Sequence, residues 1–213
     1  MKKKEGEELI FKVITIGDSG VGKTAIIRRY IYNDFEEKAM STIGVSFGFK
    51  EVILKNGKVV KLKLIDTAGQ EKYSSLAKSY YKNVDGVLFV FDFNNLESFE
   101  NIENWIRKFE ENNNHQGIPK YLIGNKNDLE KKIEKKLIDD FIDKYNYKFE
   151  ECSVLNNINI DNILQDISEK MYENFYTHTH KEQKNITIKK YGEKRNRNEC
   201  NCISFSNENV SNR

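Results

Sequence analysis

The chain has 213 residues, 38% hydrophobic and 32% charged, with one proline and a formal charge of +2. This length fits one domain, or one domain with a tail. The near-neutral charge excludes wholesale nucleic-acid binding, and the longest fully apolar run, Val87–Phe91, falls far short of the ~20 residues a membrane span needs.

In chain order, Met1–Glu8 is charged and lacks the apolar stretch of a signal peptide. Lys2 excludes N-myristoylation. Leu9–Ile16 is a β-branched run ending at Gly17, which predicts a buried strand. A Gly-rich turn follows, then helical character over Lys23–Asn33. Val45–Leu54 and Lys58–Ile65 flank Asn56-Gly57, a strong hairpin signal. Val84–Phe91 is a continuous apolar strand, as expected where helices cover both faces. Leu96–Glu111 is predicted helical, with Phe99, Ile102, Ile106 and Phe109 on one stripe. Tyr121–Gly124 is a short strand, and Ile133–Tyr145 an amphipathic helix through Ile133, Leu137, Ile138, Phe141 and Ile142. Tyr147–Ser153 is a last strand. Ile160–Tyr176 is a last helix, striped by Ile160, Ile163, Leu164, Ile167, Met171 and Phe175. Strands alternating with helices predict an α/β fold: a parallel sheet with one antiparallel hairpin strand.

The charge is uneven. Lys181–Arg213 carries eight Lys/Arg against four Asp/Glu, a net +4 that leaves −2 for the rest. This Asn-rich end has too little apolar surface to offset its ordering entropy. The expected organisation is a flexible segment over 1–8, one domain over 9–178 and a disordered basic tail over 179–213. Three cysteines without a secretion signal point to a reducing, cytoplasmic setting. Cys152 is expected in the core, Trp105 partly packed, and His178 and His180 on the surface.

Three segments carry chemistry. Gly17-Asp18-Ser19-Gly20-Val21-Gly22-Lys23-Thr24 fits G-x-x-x-x-G-K-[ST] between a predicted strand and a predicted helix. Its glycines let backbone N–H groups come close to phosphate oxygens, and the helix N-terminus favours an anion. Lys23 supplies charge for the β- and γ-phosphates and Thr24 a hydroxyl for Mg²⁺. Asn125-Lys126-Asn127-Asp128 follows a strand. The acceptor-only carboxylate of Asp128 suits the two N–H donors on the edge of guanine, a pair that adenine lacks. Asn125 can tie this loop to the phosphate loop, and the stem of Lys126 can lie on the base.

The third segment, Asp66-Thr67-Ala68-Gly69-Gln70-Glu71, ends the hairpin's second strand. Asp66 is placed to hold Mg²⁺ through a water, Gly69 to offer an N–H to the γ-phosphate, and Gln70 to orient the attacking water. Upstream, Thr42 can reach Mg²⁺ and the γ-phosphate only when both are present, which is what a switch requires.

Together these motifs, with S-T-I-G-V-x-F after the first switch and S-L-x-x-x-Y-Y around Tyr80-Tyr81, resemble the Ras-like small GTPases and, within them, the Rab family, over roughly Leu9 to Tyr176. The resemblance implies a P-loop NTPase fold with a six-stranded, mostly parallel sheet and helices on both faces. It implies GTP/GDP and Mg²⁺ as cofactors, with exchange factors, activating proteins and effectors as partners. It adds Ala25 to the nucleotide contacts, Phe35 as the aromatic against guanine, and Ser153 and Val154 as guanine support. Ile43, Gly44, Phe47, Tyr73 and Leu76 would form part of the effector surface.

The chain departs from the Rab pattern at Ile65 (usually Trp), Ser46 (usually Asp) and Leu155 (usually Lys). Cys200-Asn201-Cys202 is followed by Ile203–Arg213, and Ser211-Asn212-Arg213 offers no C-a-a-X box, so ordinary prenylation is not expected. Palmitoylation of Cys200 and Cys202, removal of the extension, or two idle thiols remain open. Lys189, Lys190, Lys194, Arg195 and Arg197 could draw the tail to an anionic leaflet, giving peripheral contact with the cytosolic face of an endomembrane. The expected protein is a monomeric, Rab-type GTP-hydrolysing switch in vesicle traffic, with no nucleic-acid partner. Ile65 and Leu155 motivate one alternative, a nucleotide-bound scaffold that scarcely cycles. An ATP-dependent P-loop enzyme is the other, and Asp128 argues against it.

Overall fold

The computed structural model describes residues 8–34, 44–67, 79–113 and 117–177. By its internal contacts the chain divides into Met1–Tyr172 and Glu173–Arg213, and the sheet and the site lie in the first unit. Six strands form one sheet: β1 (Ile10–Ile16), β2 (Val45–Ile53), β3 (Val59–Thr67), β4 (Gly86–Asp92), β5 (Lys120–Asn125) and β6 (Lys148–Glu151). Their order is β2-β3-β1-β4-β5-β6. Only β2 is antiparallel, pairing with β3 from Val45↔Thr67 to Ile53↔Val59. The parallel register places Thr15 beside Asp66, and Asp92 beside Asn125.

The alternation along β1 builds two cores. Phe11 and Val13 join Ile26, Ile27, Leu62, Leu64, Ile163, Leu164 and Ile167 on one face. Ile14 and Ile16 join Phe89, Phe91, Ile102, Trp105, Ile106 and Phe109 on the other. Because β4 is buried on both faces, its whole run is apolar until Asp92.

Among the described residues the helices are α1 (Lys23–Tyr32), α2 (Leu96–Glu100), α3 (Ile102–Glu110), α4 (Lys135–Tyr145) and α5, residues 160–177, and residues 79–81 are also helical. The predicted helix over Leu96–Glu111 is divided at Asn101. Asn95 caps its first turn by accepting from the Ser98 N–H at 3.4 Å. The stripe of Phe99, Ile102, Ile106 and Phe109 is buried across the division. In α4, Ile138 and Phe141 are buried but Leu137 is exposed, and Ile133 reaches the core from before the helix. Phe175 is also exposed. The last strand is shorter than expected: Ser153 makes only an isolated bridge to Ile158.

The hairpin loop spans Lys55–Gly57. The Leu54 N–H donates to the Lys58 carbonyl at 2.8 Å, and Gly57 takes φ +78°. That is a three-residue loop with glycine in the left-handed position. Asn56 Oδ1 accepts from the Lys58 N–H at 3.0 Å, a local bond that selects the longer turn.

Candidate nucleotide-binding site

The C-terminal ends of β1, β3, β4, β5 and β6 all point to one edge of the sheet, where open α/β sheets bind ligands. From β1 the chain turns through residues 17–22 into α1. The turn demands glycine twice. A Cβ on Gly17 would lie 2.1 Å from the Val90 carbonyl oxygen. A Cβ on Gly22, at φ +100°, would lie 2.2 Å from Asn125 Nδ2. The backbone therefore comes as close to β4 and β5 as a side-chain-free chain can.

Lys23 opens α1 and is buried. Its Nζ donates to the Gly17 carbonyl at 2.8 Å and the Asp18 carbonyl at 2.6 Å. Burial lowers its pKa to about 8, while the charges of Asp66 and Asp18 act the other way. Thr24 Oγ1 donates to Asp66 Oδ2 at 2.7 Å, and Ser46 Oγ lies 3.5 Å from the same oxygen. The β1–β3 register fixes Asp66 there, braced by the Thr67 hydroxyl on the Thr15 carbonyl at 2.7 Å.

The base loop is tied to the phosphate loop. Asn125 Nδ2 donates to the Val21 carbonyl at 2.8 Å. Lys126, at φ +60°, donates to the Gly20 carbonyl at 2.9 Å and pairs with Asp92 Oδ2 at 2.7 Å. The Ser153 hydroxyl donates to Asp128 Oδ1, joining the two proposed guanine-edge segments. Cys152 is fully buried beneath them, its N–H donating to the Gly124 carbonyl at 2.8 Å. Burial, with Asp128 and Glu151 nearby, pushes its thiol up to about 12.

Asp18, Ser19, Gly20, Val21, Gly22, Asp66, Asn125, Lys126, Asp128, Ser153 and Val154 thus lie on loops and strand ends at this one edge, with Lys23, Thr24 and Ala25 in the first turn of α1. Phe35, Thr42, Gly69 and Gln70 lie outside the described residues, as do Ile43, Tyr73, Leu76, His178, His180, Cys200, Cys202, the basic tail and most of the N-terminal segment.

Sequence reasoning missed several contributors. Arg29 Nε donates to the Val154 carbonyl at 3.1 Å, and its Nη atoms reach the Leu155 and Asn33 carbonyls at 3.4 Å each. Asn101 and Trp105 both donate to the Asp18 carboxylate. No local pattern marks the long-range contacts of Arg29 with Val154 and Leu155, or of Asp18 with Asn101 and Trp105. Asp92 did leave a signal, since a carboxylate closing an all-apolar strand has to face something polar. A separate cleft of about 470 Å³, lined by Ile118, Tyr121, Tyr145, Tyr147 and Lys148, lies at the opposite ends of β5 and β6 and contains none of these groups.

A strand, glycine turn and helix carrying a buried lysine, with a polar base loop tied to that turn, define a P-loop nucleotide-binding protein. The Ras family profile matches residues 12–173. The Ras-related protein Rab-11B of Dictyostelium discoideum is 39% identical over 171 residues, covering 79% of this chain and 77% of its own. Rab-10 of Diplobatis ommata is 38% identical over 172 residues (80% and 85%), and Rab-5B of Plasmodium falciparum 34% over 174 (82% and 84%). The chain belongs to the Ras family of small GTPases and is similar to its Rab members.

Proposed function

We propose that this GTPase is a Rab-type switch in vesicle traffic that binds GTP and GDP with Mg²⁺ and hydrolyses GTP slowly on its own. One observation carries the reading: the base loop is bonded directly to the phosphate loop through Asn125 and Lys126, so one ligand with both a base and phosphates spans them. Ser19 to Thr24 present backbone N–H groups to phosphates and Lys23 adds positive charge. Asp128 reads the base edge, with Ser153 and Val154 behind it and Phe35 against its ring.

Thr24 and Asp66 are hard oxygen donors 2.7 Å apart, the chemistry Mg²⁺ takes together with phosphate oxygens and water. Thr42 would complete the set. When bound, the ion neutralises charge on the phosphates. Asp66 holds Thr24 in place for it, while Lys23 keeps its ammonium on the phosphates and Gln70 orients the attacking water. Turnover without a partner is then slow, on the order of 10⁻⁴ s⁻¹ as in Ras, with a ~10⁵-fold gain from an activating protein. Exchange factors, activating proteins and effectors acting through the switch loops are the expected partners, and the protein works as a monomer.

Among the described residues no helix is long and apolar enough to cross a membrane, so attachment to the cytosolic face of an endomembrane would be peripheral. The G domain is assigned to residues 9–178, with a basic tail over 179–213.

The test is the nucleotide carried by protein purified from its own cells, read by HPLC, followed by single-turnover GTP hydrolysis. Near-stoichiometric guanine nucleotide and slow release of phosphate, accelerated by an activating protein, are expected. Bound ATP, or no hydrolysis even with that protein, would overturn the reading.

A further inference from the structure

Asp18 is the second residue of the phosphate loop, yet its carboxylate is committed elsewhere. Oδ2 accepts from Asn101 Nδ2 at 2.8 Å, and Oδ1 accepts from Trp105 Nε1 at 2.6 Å. The two donors are four residues apart, one helical turn on the same face. Asn101 stands at the α2–α3 junction and is the N-cap of α3, where a helix favours a negative charge. Trp105 is buried in the core beside Ile102, Ile106 and Phe109, so its N–H is held by packing. On the backbone side, the Asp18 carbonyl accepts from Lys23 Nζ at 2.6 Å.

A carboxylate beside a phosphate cradle is electrostatically adverse, and binding phosphate does not explain it. Holding the loop does. Two charge-assisted bonds fix the side chain of a residue whose backbone sets the position of Lys23. We infer that Asp18 is a positioning residue: gripped by Asn101 and Trp105, it fastens the phosphate loop to α3, so that α3 governs how long nucleotide is retained. The inference rests on the nucleotide-binding reading above.

The test uses the full chain loaded with a fluorescent GDP analogue and chased with excess GDP. Asp18→Ala should release nucleotide at least ~10-fold faster, the scale of one of the two charge-assisted bonds it loses. Trp105→Phe and Asn101→Ala should each give a smaller acceleration. The double variant Asp18→Ala/Trp105→Phe should release no faster than Asp18→Ala alone, because both changes break one contact.

Two readouts separate this role from general loosening. The preference for GDP over IDP should stay at the wild-type value, since Asp128 is untouched. The indole N–H resonance of Trp105, the chain's one tryptophan, should shift in Asp18→Ala. Wild-type release from Asp18→Ala, tighter retention by it, or multiplying effects in the double variant would overturn the inference. If Asp18→Ala does not fold, Asp18→Asn and Trp105→Phe decide it, and wild-type release from both would overturn it. A wild-type protein that binds no GDP would instead refute the nucleotide reading and this inference together.

Discussion

Asp128 shows how much chemistry one side chain can carry. As a carboxylate it only accepts, and the Ser153 hydroxyl already donates to one of its oxygens. That bond orients the carboxylate and leaves acceptor capacity for two N–H donors on a base. Replacing it by asparagine puts a donor where an acceptor stood. We predict that Asp128→Asn weakens GDP by about 3 kcal/mol, or ~10²-fold, and gains affinity for the xanthine analogue, whose ring carries an oxygen at that edge. Competition between GDP and XDP checks this, and unchanged selectivity would remove the assignment. Gln70 lies outside the described residues, and its amide can both donate to and accept from a water. Gln70→Leu cannot orient water, so the activated hydrolysis rate should fall by ~10²-fold while GTP affinity holds. Equal single-turnover rates for variant and wild type would sink that role.

At the scale of elements, α1 does more than begin at the phosphate loop. Its last turn carries Arg29, whose guanidinium fork reaches the carbonyls of Val154, Leu155 and Asn33. A single cation therefore braces the loop proposed to support guanine against the end of the helix that leads to Phe35. Where Rab proteins usually carry a lysine, Leu155 offers no charge, but its carbonyl is still held. Arg29→Ala should speed GDP release about 5-fold, a fraction of what a fully buried charged hydrogen bond contributes. Arg29→Lys should restore only part of the loss, because an ammonium cannot reproduce the fork. Stopped-flow release decides it, and identical rates for all three proteins would refute the brace. The same contact marks where sequence legibility ends. Among the described residues, apolar runs and periodicity located the six strands and the main helices, because burying a face constrains residue type along the chain, while the helical residues 79–81 went unpredicted. Periodicity misplaced Leu137, since the four apolar residues of α4 spread wider than the face the core accepts. The motifs of the site were legible because phosphates and a base edge demand fixed residue types at fixed spacings. The Arg29 brace and the Asp18 grip were not, because a partner 83 or 125 residues away leaves no local trace.

For the whole molecule, buried titratable groups set a pH limit. Burial raises Tyr30 and Tyr81 to about 12, with Asp161 adding to Tyr30. Burial also raises Cys152 to about 12, and raises Tyr147 with help from Glu110. The folded protein keeps these protons where the unfolded chain has lost them, from about 9 for the thiol and 10 for the phenols. Their contribution is complete below that range and is lost as the pH rises through the folded values. Lys23 has the opposite sign. Folded without nucleotide, it releases its proton at about 8, whereas the unfolded chain holds it to about 10.5, so stability would gain over that interval; phosphates beside the ammonium keep the proton on and remove that gain. Stability at saturating GDP should be level to about pH 9 and then fall, by about 1.4 kcal/mol per pH unit for each tyrosine or thiol still protonated. Urea midpoints at pH 8, 10 and 11.5 measure the fall. Absorbance at 295 nm, where phenolate absorbs, gives its cause: Tyr30, Tyr81 and Tyr147 should ionise only as the protein unfolds. Full phenolate absorbance with the native circular dichroism intact, or equal midpoints at pH 8 and 11.5, would show that these side chains do not set the alkaline limit.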